Sequence, residues 1–295
     1  MVLSLRLPIK AVRMTINAHS MFVLDVARTS IAFHLAMRRN HKQLMSLNDL
    51  PVNVNLTKGT PRGVQELPMS NQGMTLGEWI HHLCSISDKD ILYEAGFYVE
   101  IIKFDIQSLR KIFPKLRKVD INFSDNETSR TMKQENILNA QNVLKAFLPD
   151  VQSVHLHRFP VGDNVFIQNI GMTNLKKLKF SFSSKMNLDC LFLLNVERCT
   201  LDTDQISLRD LNRFFKLWMK GSNPKLKKLE ISGDTGIIPD WNVLLKGLKA
   251  KEAEAEEDVY EESKKYIIKN CRGIRGEIEV SHYETQANVI FAVLN

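Results

Sequence analysis

One run in the C-terminal half of the chain constrains the fold most closely, because it specifies a helix, its end and a strand in succession. Four large apolar side chains recur there at the i, i+3, i+4 and i+7 spacing of one helical face: Leu211, Phe214, Phe215 and Trp218. Ser207, followed three residues later by Asp210, predicts the helix cap, while Gly221 and Pro224 predict its end. Residues 226–231 have the spacing L-x-x-L-x-I, which predicts a short strand. The sequence therefore predicts a helix that packs back on the strand after it.

The same order of helix, proline and strand occurs twice upstream, within residues 108–121 and 143–156. Two further strands, within residues 175–180 and 191–201, have similar spacing without the proline. The first positions of successive strands are 35, 24, 16 and 35 residues apart, which is less regular than a leucine-rich repeat of 20–29 residues. These repeats predict fold class α/β, with a divergent leucine-rich-repeat-like array of mostly parallel strands joined by helical crossovers.

Amphipathic spacing predicts helices at residues 105–113, 134–148 and 240–248, and the first two include the helical segments of the upstream repeats. Asp105 is positioned to cap the first of them. Residues 275–282 and 287–293 alternate as two strands, which predicts a closing hairpin.

The run around Trp218 resembles the signature of the type-2 F-box-associated domain, which occurs in a large nematode family of F-box proteins. The matching residues form one nearly continuous phrase: Asp210, Leu211, Asn212, Phe214, Lys216, Leu217, Trp218, Lys220, Gly221, Ser222, Asn223, Pro224 and Leu226. Within that signature we assign a structural role to Asp210, Leu211, Asn212, Phe214, Trp218, Gly221, Asn223, Pro224, Leu226 and Leu229. In that family a glycine-rich turn would often join the last two strands, whereas this chain has residues 283–286 there.

Proteins of that family carry an F-box near the amino terminus, and residues 5–30 look like its first two helices. Pro8 suits a first helical turn, where its missing N–H costs nothing. The resemblance implies a small helical F-box-like domain at residues 1–45 and an F-box-associated array at 79–295. Residues 47–77 contain three prolines and four glycines with few periodic apolar residues, which predicts an extended linker at 46–78. The resemblance also implies that apolar residues of the first domain contact a Skp-family adaptor: Leu5, Leu7, Pro8, Ile9, Val12, Ile16, Phe22, Leu24 and Val26.

The function that the resemblance implies is recognition, without catalysis. An F-box docks on a Skp-family adaptor in a cullin-RING ubiquitin ligase, and the array would then bind an unknown protein substrate. An alternative from another class is a protein-interaction scaffold whose F-box has decayed. Both interpretations predict no cofactor and no metal.

The residues themselves give little support to catalysis or metal binding. Among possible ligands, only His81, His82 and Cys84 are closely spaced, and their spacing does not match a zinc site. His155 and His157 share one strand face without an acid or nucleophile at a defined distance, so we interpret them as structural or surface residues. The phosphate-binding, dinucleotide-binding, serine-hydrolase and zinc-protease motifs are all missing from the sequence.

Charge and cysteine content limit which ligands and which cellular compartment are expected for the protein. The first 45 residues contribute +6 of the formal charge of +7, so the array is nearly neutral and binding of nucleic acid is not expected. The four cysteines form no C-x-x-C pair, which favours a reducing compartment and a cytoplasmic or nuclear protein.

A mitochondrial transit peptide is the alternative for the acid-free first 24 residues. No apolar stretch reaches 18 residues, so no membrane span is expected. The acidic residues 252–262 are interpreted as a solvated segment, with docking of a basic partner as the alternative.

Overall fold

The computed structural model of the chain describes residues 9–26, 29–38, 44–60, 63–71, 73–86, 92–123, 130–159, 175–181, 191–192, 195–203, 207–234, 239–253 and 263–294. The chain divides into two compact units, which we call the N-terminal unit (residues 1–151) and the C-terminal unit (residues 152–295). The predicted domain boundaries after residues 45 and 78 rest on the family resemblance and on the proline and glycine content of residues 47–77, and they stay predictions.

The N-terminal unit contains three helices and nine strands among its described residues. The strands are β1 Ile9–Ile16, β2 His19–Val26, β3 Thr29–Met37, β4 Met45–Ser46, β5 Pro51–Thr60, β6 Gly63–Met69, β7 Leu92–Tyr98, β8 Ile102–Lys103 and β9 Lys118–Asn122. The helices are α1 Leu76–Ser85, α2 Ile106–Ile112 and α3 Arg130–Phe147. The main sheet has the order β6-β5-β3-β2-β1-β7-β9, and β4 pairs with β8 separately. Within the main sheet the β1–β7 and β7–β9 pairs are parallel and the other described neighbours are antiparallel, while the separate β4–β8 pair is parallel.

The prediction of a helical F-box-like segment in residues 1–45 is wrong, because residues 9–37 form three strands. The side chains of Val12, Met14 and Ile16 are buried, whereas those of Arg13 and Thr15 are not, and this period of two is that of a strand with one buried face. The β1–β2 connection has only two residues, which is long enough for an antiparallel hairpin but not for a helical crossover. In that turn the side chain of Asn17 accepts a hydrogen bond from the His19 N–H, 2.8 Å away.

In the described part of the C-terminal unit, two helices and eight strands have bounds that the structure defines. The strands are β10 Ser153–His157, β11 Lys177–Ser181, β12 Arg198–Asp202, β13 Lys228–Asp234, β14 Lys251–Ala253, β15 Lys264–Lys269, β16 Arg275–Tyr283 and β17 Gln286–Leu294. The helices are α4 Leu208–Met219 and α5 Trp241–Leu245. The sheet order is β10-β11-β12-β13-β17-β16-β15-β14. The three neighbouring pairs from β10 to β13 are parallel. The pairs β13–β17, β17–β16, β16–β15 and β15–β14 are antiparallel.

The predicted leucine-rich-repeat-like array of mostly parallel strands is therefore wrong, since the structure is mainly β and each unit has a mixed sheet. Short connections explain the difference: β16 and β17 are separated by two residues, and such a link joins only antiparallel strands. The predicted strand within residues 191–201 also begins late, because β12 starts at Arg198 and residues 191–192 are helical. The strands predicted around Val119, Val154 and Leu178 are present.

The run that constrained the sequence prediction folds as expected. Ser207 caps α4, and its side chain and that of Asp210 form a reciprocal capping box. The four apolar residues of the predicted helical face are all buried: Leu211, Phe214, Phe215 and Trp218. The predicted hairpin of β16 and β17 is also present, and Glu284 adopts a φ of 52° in its turn, where glycine would be less strained.

Gly276 in β16 provides a test of this packing. A Cβ at this position would lie 2.4 Å from Phe291 Cε2 and 3.0 Å from Trp218, and both rings are buried. We expect Gly276→Ala to lower the free energy of unfolding by about 1–3 kcal/mol, because overpacking forces neighbouring side chains out of their preferred positions. Chemical denaturation followed by circular dichroism measures this. In Gly96→Ala, the matched control in β7, the new Cβ would have no neighbour closer than 3.5 Å, so an equal loss there would contradict the explanation.

Candidate functional site

In each unit the helices pack on one face of the sheet. In the C-terminal unit, the rings of Phe215 and Trp218 in α4 lie 5.3 and 4.8 Å from that of Phe291 in β17. In the N-terminal unit, the ring of Phe97 in β7 lies 5.7 Å from that of Phe147 in α3. The strand residues that alternate with these apolar positions are mostly half-buried or exposed. We call the face that they form the open face of each unit, and it is the candidate functional surface because its side chains can contact a partner.

The open face of the N-terminal unit contains a pocket of about 260 Å³ with polar and apolar lining. The residues that line it belong to β2, β3, β5 and β6: His19, His34, Leu35, Ala36, Asn53, Asn55, Thr57 and Glu66. His34 Nε2 lies 2.9 Å from Thr57 Oγ1, which orients the imidazole. The pocket is smaller than the ~300–1,000 Å³ of typical small-molecule sites, so its size suits one side chain of a partner protein better than a cofactor.

Ion pairs lie elsewhere on the same face. Arg13 and Asp25 are 2.9 Å apart across β1 and β2, and Lys118 lies 3.7 Å from Glu94 and 3.2 Å from Asp120. Because these side chains are all at least partly exposed, each pair contributes at most about 1 kcal/mol to stability.

The open face of the C-terminal unit carries a group of basic residues on its parallel strands. Lys177 of β11, Arg198 of β12 and Lys228 of β13 are direct neighbours in the register of the three parallel strands, and we call them the basic row. Lys179 lies on the same face two residues after Lys177, in register with Thr200 and Glu230. Strand alternation hides this arrangement in the sequence, where the lysines are interleaved with buried residues.

Glu230 is the acid within this group. Its carboxylate forms an ion pair with Lys228 and accepts a hydrogen bond of 2.9 Å from Thr200 Oγ1. The hydrogen bond from Lys228, with that from Thr200 and the charges of Lys228 and Lys179, lowers the pKa of Glu230 below its ordinary value. Glu230 is therefore ionised at neutral pH and neutralises only part of the charge around it.

The F-box-associated signature residues lie mainly on the helix side of the sheet. Asn212 is buried and donates hydrogen bonds from Nδ2 to the carbonyl oxygens of Leu244 and Lys246, at 2.6 and 2.9 Å, which fix α5 against α4. Gly221 and Asn223 adopt positive φ angles of 98° and 51° at the end of α4, and Asn223 Nδ2 donates to the Leu191 carbonyl, 3.3 Å away.

The remaining signature positions serve the same local fold. Asp210 belongs to the capping box of α4, and Pro224 lies in the connection that leads to β13. Four apolar signature side chains are buried: Leu211, Phe214, Trp218 and Leu229, with Leu226 also buried just before β13. These contacts all lie within the helix–sheet packing of the C-terminal unit, and the structural role assigned to the signature residues stays a prediction.

The described residues that are predicted to contact an adaptor lie in strands β1 and β2 and form no helical surface. Leu5, Leu7 and Pro8 lie outside the described residues. Four of the other six are buried in β1 and β2, namely Val12, Ile16, Phe22 and Leu24, and Ile9 and Val26 are half-buried. Adaptor contact by these nine residues stays a prediction, and the fold gives the buried four no exposed surface with which to make it.

The cysteine and histidine side chains among the described residues are the candidates for nucleophilic or metal-binding chemistry. Burial raises the pKa of the Cys84 and Cys199 thiols to about 12, so neither is a nucleophile at neutral pH. His155 and His157 have ring centroids 6.1 Å apart, and His155 Nε2 lies 3.0 Å from Ser181 Oγ. Across the residues that the structure describes, no group of three or more His, Cys, Asp or Glu side chains is arranged to hold a metal ion. Among those residues, too, no helix combines the length and apolarity that crossing a bilayer requires.

Comparison with known proteins identifies one region clearly. Residues 166–231 match the model of a family described as F-box associated. The F-box associated domain-containing protein sdz-33 of Caenorhabditis elegans is 23% identical over 184 residues, which cover 61% of this chain and 52% of that protein. The chain thus spans about half the length of that relative. No solved structure matches the chain. The predicted resemblance to the nematode F-box-associated family is confirmed.

Proposed function

We propose that this chain, a relative of nematode F-box-associated proteins, is the non-catalytic substrate-recognition subunit of a Skp-cullin-F-box type ubiquitin ligase. In this role an open sheet face binds a protein substrate, and a Skp-family adaptor connects the chain to the cullin. The contribution to ubiquitination is proximity, because a substrate held near a charged conjugating enzyme reacts as if it were at high local concentration.

One observation carries this proposal: the F-box-associated match coincides with strands that expose one face of the sheet. Residues 166–231 include β11, β12, α4 and the first half of β13. The matched segment therefore contains both the buried helix–sheet packing that fixes these strands and the basic row on their open face. The family resemblance supports an F-box type role, and the open face supplies a surface for a protein ligand.

Adaptor binding is tested by co-expressing the tagged full chain with a Skp-family adaptor. We expect the adaptor to co-purify with the unaltered chain. Leu7→Asp combined with Pro8→Ala should reduce the recovery of the adaptor at least about tenfold, because it would place a buried charge where an apolar group is predicted to make the contact. Leu50→Asp is the matched control, because Leu50 is 52% exposed and is not among the predicted contacts. Failure of the unaltered chain to retain the adaptor, or equal losses in both variants, would contradict adaptor binding through this segment.

A second candidate function is the scaffold without an adaptor. It is favoured by the observation that residues 9–26 form a β-hairpin where F-box helices are predicted. Affinity purification of the tagged chain followed by mass spectrometry separates the two candidates. Recovery of partner proteins together with adaptor and cullin supports the ligase subunit, and recovery of partners alone supports the scaffold.

A further inference from the structure

We propose that the open face of the C-terminal unit binds a short acidic segment of a protein through the basic row, Lys177, Arg198 and Lys228. The inference rests on the proposed function, because it takes the acidic segment to be part of the substrate that the chain is proposed to bind. It can be tested without adaptor or substrate.

The geometry of the basic row follows from the strand register. Lys177 is the Cα partner of Arg198, and Arg198 is the Cα partner of Lys228, so the three residues occupy one line across β11, β12 and β13. Neighbouring strands are ~4.8 Å apart, which places the outer two Cα atoms about 10 Å from each other. Lys177 and Arg198 are exposed and Lys228 is half-buried, so the line faces solvent. Lys179 adds a fourth cation beside it.

The nearby acids balance only part of this positive charge. Glu230 pairs with Lys228, and Asp202 lies on the same face of β12, two residues after Thr200. Glu197 lies 2.7 Å from Lys227, a residue outside the row, and the hydrogen bond from Lys227 together with the charges of Lys227, Lys176 and Arg198 lowers the pKa of Glu197. Within the described part of the chain, Lys177, Lys179 and Arg198 form no ion pair. Like charges directly opposite each other on neighbouring strands are destabilising, and carboxylates bound along the row would relieve that repulsion.

The carboxylates beyond the Lys228 end of the basic row limit the kind of anionic ligand that can bind. Beyond Lys228 the register continues through Ala292 of β17 to Glu277 of β16, and the adjacent register line continues from Glu230 through Ile290 to Glu279. A long polyanion such as RNA, extended along this face, would meet these carboxylates. An extended peptide advances ~3.3 Å per residue, so about three or four residues span the row. A short acidic segment therefore fits the charge pattern better than a nucleic acid.

Binding of a probe peptide tests the proposal with the purified full chain. The probe is a fluorescein-labelled decapeptide of alternating glutamate and serine, measured by fluorescence anisotropy at low and high salt. We expect saturable binding that weakens with salt, because exposed charges are screened. Arg198→Gln should weaken binding about fivefold, the upper end for one exposed ion pair, and Lys177→Gln combined with Arg198→Gln at least about tenfold.

Arg209→Gln is the matched control, since Arg209 is an exposed arginine of α4 and lies outside the row. It removes the same charge from the same unit and should leave peptide affinity unchanged. An equal loss in Arg209→Gln would show attraction to net charge alone and overturn the proposal, as would no detectable binding at millimolar peptide. Tighter binding of a 20-nucleotide single-stranded RNA than of the peptide, lost in Arg198→Gln, would also overturn it.

A second measurement needs no ligand. If the row is held against its own repulsion, Lys177→Gln combined with Arg198→Gln should leave the thermal midpoint unchanged or raise it. A fall of several degrees would show that the two residues serve folding instead. The peptide result and the adaptor result are separable: loss of peptide binding with adaptor retained removes only this inference, whereas row-dependent peptide binding without adaptor removes only the ligase assignment.

Discussion

Replacing Trp218 with alanine is expected to lower the free energy of unfolding by about 3–5 kcal/mol, the range for removing a large aromatic side chain from a core. Trp218 is 3% exposed, and its ring lies 4.8 Å from that of Phe291 at an angle of 72°, an edge-to-face contact. Because α4 contacts β17 through this pair, the cavity would open where the parallel and antiparallel parts of the C-terminal sheet meet.

Urea denaturation followed by circular dichroism measures the effect of Trp218→Ala. Trp241→Ala is the matched control, because Trp241 begins α5 and is only half-buried, so a clearly smaller loss is expected. A loss below about 1 kcal/mol in Trp218→Ala, or losses of equal size in both variants, would contradict the assignment of Trp218 to the core.

The elements that the sequence predicted well are those whose determinants are local. The cap, apolar face and end of α4 all lie within Ser207–Pro224, and Asp105 caps α2 by accepting a hydrogen bond from the Ser108 N–H, 2.8 Å away. Such signals need no knowledge of distant residues. In contrast, whether neighbouring strands are parallel depends on connection length and on which strands meet, and the repeated L-x-x-L-x-L spacing is compatible with both directions.

The amino-terminal error has a different physical origin. In residues 9–26, apolar side chains occur both at alternate positions and at helical spacing, and the family resemblance favoured the helical interpretation. The structure selects the period of two, because Phe22 and Leu24 pair across the hairpin with Met14 and Val12 on one buried face. The alternation was visible in the sequence and would have predicted these strands.

The candidate surface was only partly accessible to sequence reasoning. The basic residues of the row are 21 and 30 positions apart along the chain, and only the register of β11, β12 and β13 aligns them. Likewise, the pocket on the N-terminal unit combines residues of four strands, including the β5–β6 hairpin where a linker is predicted. Surfaces of this kind depend on strand pairing, which a single sequence does not specify.

Asn139 is the buried polar residue on which we expect the N-terminal unit to depend most. It is 4% exposed, and its Oδ1 accepts a hydrogen bond of 2.6 Å from the Phe104 N–H. Its Nδ2 donates to the carbonyl oxygens of Val99 and Ile102, at 2.8 and 2.6 Å. One amide thus satisfies three backbone groups between β7 and α2, and nothing in the polar sequence around residue 139 indicates this role.

We expect Asn139→Ala to lower the free energy of unfolding by about 3–5 kcal/mol, because three backbone groups lose their partner and each unsatisfied buried group costs ~1–3 kcal/mol. Asn142→Ala in the same helix is the matched control. Asn142 is half-buried and donates one hydrogen bond, of 3.0 Å, to the Phe104 carbonyl, so its loss should be about 1 kcal/mol. Urea denaturation of both variants gives the comparison.

Asn139→Asp separates hydrogen bonding from packing, because it keeps the shape of the side chain and removes both amide donors. The new carboxylate would face the Val99 and Ile102 carbonyl oxygens in a buried site, so its pKa in the folded protein should lie above its ordinary value. Since the folded state then favours the protonated form, the deficit of this variant relative to the unaltered chain should be largest at neutral pH and shrink as the pH falls through the raised pKa. A deficit independent of pH would show that the carbonyl oxygens are not the determining contacts.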